Sequence, residues 1–278
     1  MKVKFLGTIA AEGGPGIFCN CDYCKEALRR GGKDIRTRSQ ILVNEDLLVD
    51  FPADTYLHKL RDHFDLSKVR YLLITHSHQD HFYPQDLFMR GAYCGYNMVE
   101  PTMDIYCNQA VKDYFDRESV GHIEKEIAEG MKWNVVSEFD YIKTERYEIW
   151  ALKARHMKAE NALFFLIKQG DKAFLQCNDT GCLYEENYEF LSSLGVKIDA
   201  VSLDATMGGQ TKSYFGHMNI KECLQTVDRM RKCNFVKSTT RFILTHFSHN
   251  GGLLHDDYEK CCSPYGVEIA YDGMELDF

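Results

Sequence analysis

The sequence has little proline, no long block of one charge and no long apolar run. Its five prolines are scattered through 278 residues, so no Pro-rich linker marks a domain boundary. A single domain over residues 1–278 is the simplest expectation. Net charge is −8 and no lysine/arginine block exceeds Arg29-Arg30. The broad basic footprint of a protein that binds nucleic acid or an anionic membrane is therefore missing, and an anionic substrate would have to be held locally. No apolar stretch approaches the ~20 residues that span a bilayer. Residues 1–7 run straight into a strand pattern with no charged-then-apolar leader, so a cytoplasmic protein with no membrane partner is expected. Internal repeats and low-complexity tracts are absent too.

What remains is an ordinary globular composition. A hydrophobic share of 45% over this length supports a sizeable core. Eleven cysteines, an odd number without a secretion signal, argue for reduced thiols rather than a disulfide framework. Cys19-Asn20-Cys21-Asp22-Tyr23-Cys24 stands apart as a C-x-C-x-x-C knuckle, one ligand short of a tetrahedral zinc site. A redox Cys-x-x-Cys pair is the competing reading, and Cys19 together with the lack of a preceding βαβ pattern favours zinc. Cys94, Cys107, Cys177, Cys182, Cys223 and Cys233 read as small buried apolar residues. The vicinal pair Cys261-Cys262 has no assignment.

Hydrophobic patterning predicts strands at 2–7, 39–43, 47–50 and 71–74, with the middle two forming a hairpin around Asn44-Glu45-Asp46. Helices are expected near 22–30 and 54–62, and Pro84 opens another. A strand at 103–107 and helices at 109–117 and 122–129 follow. Strands at 147–154, 162–168 and 172–176 make a sheet-rich middle. The last third alternates helix and strand: helix 185–194, strand 200–203, helix 220–230, strand 241–244 and a final pair around Asp272-Gly273. Two sheets flanked by helices accommodate this order.

The densest chemistry lies in Thr75-His76-Ser77-His78-Gln79-Asp80-His81, directly after Tyr71-Leu72-Leu73-Ile74. Four metal-capable side chains in six positions at a strand exit can address two cations, and imidazole with carboxylate suits zinc, manganese or iron. The plain alternative is a polar loop of surface histidines. Three more polar residues follow apolar strands in the same way: His156, Asp179 within Asn178-Asp179-Thr180-Gly181, and His246. Each alone reads more readily as a hydrogen-bonded structural residue, and the repeated position turns the set toward ligands. His217, in Gly216-His217-Met218-Asn219-Ile220, precedes a helix whose N-cap is Asn219. Such a terminus favours an anion, and a histidine there can protonate a leaving alkoxide or bind a phosphate oxygen. His58, His63, His122 and His255 carry no motif and read as surface or packing residues.

Thr75 to His81 resembles the H-x-H-x-D-H signature of the metallo-β-lactamase superfamily. With Gly7-Thr8, the cysteine knuckle, Asn178 to Gly181, Leu244 to His249 and Tyr271 to Glu275, the chain resembles the PhnP-like phosphodiesterases within it. The likeness runs in order from residue 3 to 276 and is weakest over residues 91–133. It implies an α+β fold, a four-layer αββα sandwich with metals at the strand ends. It also implies that His76, His78 and His156 hold one divalent metal, Asp80, His81 and His246 a second, and that Asp179 bridges them. His249 would close a structural zinc with Cys19, Cys21 and Cys24, and His217 would be the catalytic histidine that binds no metal.

The activity implied is hydrolysis of a small phosphodiester, such as a cyclic ribose phosphate, by a hydroxide between two metals, manganese or zinc with iron an option. Asp80 would help orient that hydroxide. An RNA-processing endonuclease on the same fold is the alternative, against which the acidic balance counts. An iron-dependent redox protein is a further one, and a zinc scaffold without catalysis would leave the histidines unexplained. Residues 91–133, with Tyr83, Tyr93, Tyr96 and Tyr214, are candidates for a substrate wall, and homodimerisation stays open.

Overall fold

A computed structural model of the chain describes residues 1–91 and 93–278. The elements run β1 (Lys2–Gly7), α1 (Asp22–Arg30), β2 (Gln40–Val43), β3 (Leu47–Val49), α2 (Thr55–Asp62), β4 (Tyr71–Leu73), β5 (Met103–Cys107), α3 (Gln109–Ser119), α4 (Lys125–Glu129) and β6 (Met131–Val135). They continue with β7 (Tyr141–Lys143), β8 (Glu148–Lys153), β9 (Leu163–Gln169), β10 (Lys172–Cys177), α5 (Glu185–Ser193), β11 (Ile198–Asp204), α6 (Ile220–Arg231), β12 (Val236–Thr245), α7 (His255–Cys262), β13 (Val267–Ile269) and β14 (Met274–Asp277). Two seven-stranded mixed sheets result, ordered β14-β1-β2-β3-β4-β5-β6 and β13-β12-β11-β10-β9-β8-β7. The αββα sandwich is the fold.

Strand alternation explains the layers. In β2, β3 and β4, Ile41, Val43, Leu47, Val49, Tyr71 and Leu73 face the second sheet, where Ile149, Phe165, Ile167 and Phe174 meet them. Leu42, Leu48 and Leu72 point the other way, onto Val111 and Phe115 of α3 and Ile127 of α4. On the outer face of the second sheet, Leu175, Val201, Leu203 and Leu244 pack against Leu191 of α5, Val227 of α6 and Tyr258 of α7. Period-two burial on both faces requires apolar residues at nearly every strand position, which is why these strands read as continuous apolar runs. Each such side chain, fully buried, contributes roughly 1.5–3 kcal/mol.

Register places the site. β3 to β6 are parallel in the first sheet, and β10 to β13 are parallel in the second. Their carboxyl ends gather along one edge of the sandwich, where the loops leave. Asp50 follows β3, residues 76–81 follow β4, Asp179 follows β10, Asp204 ends β11 and His246 follows β12. At the far end of the chain, Asp272 accepts from the Thr37 amide (2.7 Å), Thr8 Oγ1 (2.7 Å) and Arg61 Nη1 (2.9 Å), tying the turn before β14 to the exit of β1.

Several local expectations shift. The helix expected at 122–129 is confined to α4, after a left-handed Gly121. The one opened by Pro84 is a 3-10 turn, Pro84–Met89. Strand β12 starts at Val236 rather than Arg241, and its first half escapes the apolar pattern because residues 237–241 are polar and partly exposed. The final pair around Asp272-Gly273 forms as β13 and β14, which join different sheets, on β12 and β1, whereas strands β6 and β7 and helix α7 are not among the expected elements. Cys107, Cys177 and Cys223 are buried as expected, but Cys94 is exposed on an irregular loop and Cys182 and Cys233 are half-buried.

Candidate active site

Residues from the two sheets meet at the gathered strand ends. His76 Nε2 lies 2.9 Å from His78 Nδ1, which is 3.1 Å from His156 Nε2. Asp179 Oδ2 lies 3.0 Å from His76 Nε2 and 3.3 Å from His156 Nε2. The same oxygen is 3.1 Å from His81 Nε2, which sits 3.2 Å from His246 Nε2 and 3.3 Å from Asp80 Oδ2. Two four-residue groups thus share one carboxylate oxygen. A cation bonded at ~2.0–2.1 Å to nitrogen and oxygen needs neighbouring ligand atoms about 3.0–3.4 Å apart. The donor set and its spacing fit a pair of divalent cations, and the groups can hold them.

Outer partners fix each ring. His81 Nδ1 lies 2.7 Å from Asp50 Oδ2, while Asp50 Oδ1 accepts from the amide and hydroxyl of Thr75, both 2.9 Å. Thr75 Oγ1 in turn accepts from His76 Nδ1 at 3.0 Å. His156 Nδ1 faces the Gly216 carbonyl at 3.4 Å, an approach that a side chain at 216 would block, since a Cβ there would fall 2.8 Å from that nitrogen. On the other flank, His246 Nδ1 meets Thr206 Oγ1 at 2.8 Å and Asp204 Oδ2 at 3.3 Å. Partners of this kind set which ring nitrogen is free for a metal.

Electrostatics follow from burial and neighbours. Burial, with His81 adding, lowers the pKa of His76 to about 3 and leaves its imidazole neutral. Burial also lowers His156. For His81 burial is outweighed by Asp80 and Asp50, and its pKa rises. For His246 burial is outweighed by Asp179 and Asp204. Asp179 is held low in spite of burial by His246 and His76.

His217 stands at the edge of the centre, with Nδ1 3.1 Å from Asp204 Oδ2 and 3.2 Å from Asp179 Oδ1. Burial alone would lower its pKa; Asp204 outweighs it and lifts the group to about 9. The helix terminus beside it does not offer free donors as expected. Asp204 Oδ1 takes the Met218 amide at 3.0 Å, and Asn219 and Glu222 cap each other's amides at 2.9 and 3.0 Å. The anion already seated at this terminus is the protein's own Asp204. Sequence reasoning missed both Asp50 and Asp204, although each follows an apolar strand like the residues it identified.

The second cluster lies beside the first. Cys19, Cys21, Cys24 and His249 converge, with His249 Nδ1 3.6 Å from Cys21 Sγ and 3.4 Å from Cys24 Sγ. Sulfur and nitrogen ligands bonded at ~2.3 and ~2.0 Å in a tetrahedron stand about 3.5 Å apart, so this set fits a zinc ion. The three-residue spacing from His246 to His249 carries both clusters on one loop.

A cleft of about 410 Å³ opens over the first cluster, lined from the β1 exit by Ala10, Ala11 and Glu12, and from the β12 exit by Ser248 and Asn250. Thr206, Met207 and Tyr214 line it too. Tyr214 is 60% exposed, with its ring parallel to that of His217. The other expected wall does not form: among the described residues, no part of 91–133 lines this cleft, nor do Tyr83, Tyr93 and Tyr96. The described part of that segment instead supplies β5, α3, α4 and the start of β6, with α3 and α4 on the outer face of the first sheet. His58 and His255 are buried, the first between Gln40 and Thr37 and the second against Arg36, whereas His63 and His122 are exposed. No helix is long and apolar enough to cross a membrane among the described residues.

Solved structures share the fold at low identity. A diphosphatase from the PhnP family is 18% identical with a TM-score of 0.73, covering 100% of this chain and 97% of its own. Zn(2+)-bound PqqB from Methylobacterium extorquens is 17% identical with a TM-score of 0.78, and coverage is 100% of both chains. The short form of human tRNase Z is 18% identical with a TM-score of 0.69, covering 100% of this chain and 99% of its own. No curated protein matches the chain. A family model described as the beta-lactamase superfamily domain matches residues 46–247, from the turn before β3 to the residue after His246. The chain therefore belongs to the beta-lactamase superfamily, with the fold of its metal-dependent hydrolases.

Proposed function

We propose that the protein is a phosphodiesterase that acts on a small phosphodiester with two divalent cations, manganese or zinc. The observation that carries this reading is the shared Asp179 oxygen between two ligand groups, with the His217–Asp204 pair at their rim. In this reading His76, His78 and His156 hold one cation, Asp80, His81 and His246 hold the other, and Asp179 bridges. Once bound, the pair supplies Lewis acidity at the phosphate and lowers the pKa of water.

The chain's own residues do the rest. Asp204, fixed by the Met218 and Thr206 amides, orients His217 through Nδ1 and stabilises its protonated form, which leaves Nε2 to donate a proton to the departing oxygen. Asp80, besides acting as a ligand, orients the attacking oxygen. Cys19, Cys21, Cys24 and His249 hold a structural zinc that anchors the loop carrying His246, in a supporting role.

Elemental analysis of the purified protein, joined to turnover of bis(p-nitrophenyl) phosphate and cyclic nucleotides, tests this directly. We expect about three metal ions per chain and diester hydrolysis. His217→Ala should keep the metals while its kcat falls about 10²–10⁴-fold. Full metal content with no diester hydrolysis, or a His217→Ala variant with the wild-type rate, would refute the assignment.

A further inference from the structure

The charge of the cleft wall has a bearing on which phosphodiester fits. Among the described residues, no lysine or arginine lines the cleft. Of the cations nearby, Arg38 donates to the Ala11 carbonyl (2.8 Å) and pairs with Asp54 (3.0 Å), and Lys158 lies over the Phe215 ring at 5.2 Å. Beyond the metal ligands and His217, which is paired with Asp204, the charged group on the wall is the carboxylate of Glu12, whose side chain is 27% exposed.

Glu12 is held in that place. Its Oε1 accepts the Ser248 hydroxyl and lies 3.8 Å from His249 Nε2. Its backbone segment is clamped onto the metal-bearing loop, with the Phe247 amide on Thr8 O (2.9 Å) and the Ala10 amide on Phe247 O (2.8 Å), and closes on itself through the Ile17 amide on Glu12 O (2.9 Å). Swinging the carboxylate away from an approaching anion would break its contacts with Ser248 and with His249 of the cysteine cluster.

We infer that Glu12 makes the cleft selective for a phosphodiester bearing one negative charge. The inference rests on the phosphodiesterase reading above. Two ligand carboxylates cancel half the charge of two divalent cations, so the centre can take up a diester phosphate. A second phosphate reaching the wall would meet Glu12 with no lysine or arginine in the lining to neutralise it, well inside the ~8 Å screening length at physiological salt. Substrates such as diphosphates, phosphorylated sugars and RNA strands are disfavoured by the same carboxylate.

A matched pair of chromogenic probes tests this on the metal-loaded protein: thymidine 5′-(p-nitrophenyl phosphate) and the same nucleotide with an added 3′-phosphate. The wild type should prefer the first in kcat/KM by about tenfold, and raising the salt should shrink that preference. Glu12→Gln should cut it about fivefold, chiefly through KM, and Glu12→Lys should reverse it. Calorimetry gives a readout apart from turnover, since Glu12→Gln should tighten thymidine 3′,5′-bisphosphate relative to thymidine 5′-monophosphate. Hydrolysis of both probes with equal preference in wild type and variants would overturn the role of Glu12 and leave the phosphodiesterase reading standing. Hydrolysis of neither probe would overturn that reading itself.

Discussion

The two metal-capable clusters differ in what holds them. The His/Asp cluster is built on strand ends of both sheets, and its outer partners Asp50, Thr75, Asp204 and Thr206 are themselves buried. The cysteine cluster is carried by loops and the start of a helix: Cys21 is exposed, Cys24 is buried, and the Gly16 amide on Cys24 Sγ (3.2 Å) is among its few outer contacts. Rigid elements with buried support position ligands for chemistry, whereas a loop-borne thiolate set gains its order from the ion it binds. One cluster is shaped by the fold, and the other shapes a loop.

The largest effect should come from removing the group shared within the first cluster. Asp179→Ala is expected to lose both catalytic metals in elemental analysis and at least ~10³-fold in diester turnover, comparable to deleting a principal catalytic group. Retention of two metals would break the view that this cluster hinges on a single oxygen. Asp50→Ala removes no ligand but frees the His81 ring, and should weaken metal affinity about 10–100-fold in chelator competition. An unchanged affinity would show that strand geometry alone orients the ring.

Cys24→Ser should take away only the third metal ion. We expect a melting temperature lower by several degrees and a rate loss below that of Asp50→Ala, since the ordered loop is what suffers. A larger rate loss than for Asp50→Ala would reverse the ranking of the two clusters.

The smallest effect concerns a buried histidine outside both. Burial, with Arg61 nearby, lowers the His58 pKa from 6.5 to about 3. A depressed pKa means stability that is full above the unfolded value of 6.5 and declines as pH falls toward 3. Between pH 7 and 5 this one group should remove about 2 kcal/mol. Urea titrations of wild type and His58→Gln at the two pH values would reveal the difference, and parallel pH dependences would contradict the assignment.

Much of the site was legible because its residues announce themselves locally. His76 to His81 form a compact run, and His156, Asp179 and His246 follow apolar strands, a signal that survives without knowledge of the fold. Asp50 and Asp204 give the same signal, yet lone acids at strand exits are common and only three-dimensional contact with His81, His217 and His246 distinguishes them. The buried states of His58 and His255 depend on Gln40, Thr37 and the distant Arg36, which no window of sequence shows. Strand β7 is only three residues long with two of them exposed, and half of β12 is too polar for periodicity to detect. Helix α7 escaped because Asp256, Asp257, Glu259 and Lys260 crowd its few buried positions.

Asp50, Asp179 and His246 all carry left-handed backbone, with φ of 67°, 53° and 54°. Few residues other than glycine tolerate that region, and aspartate, asparagine and histidine are prominent among those that do. Two of these three side-chain types are also good metal ligands. At these positions the demands of the backbone and of the reaction therefore select from the same short alphabet. Glycine would satisfy the chain and lose the chemistry, and glutamate would keep a carboxylate but strain the turn. Variation across descendants of this sequence should be narrowed twice over there, independently of how tightly the surrounding core is packed.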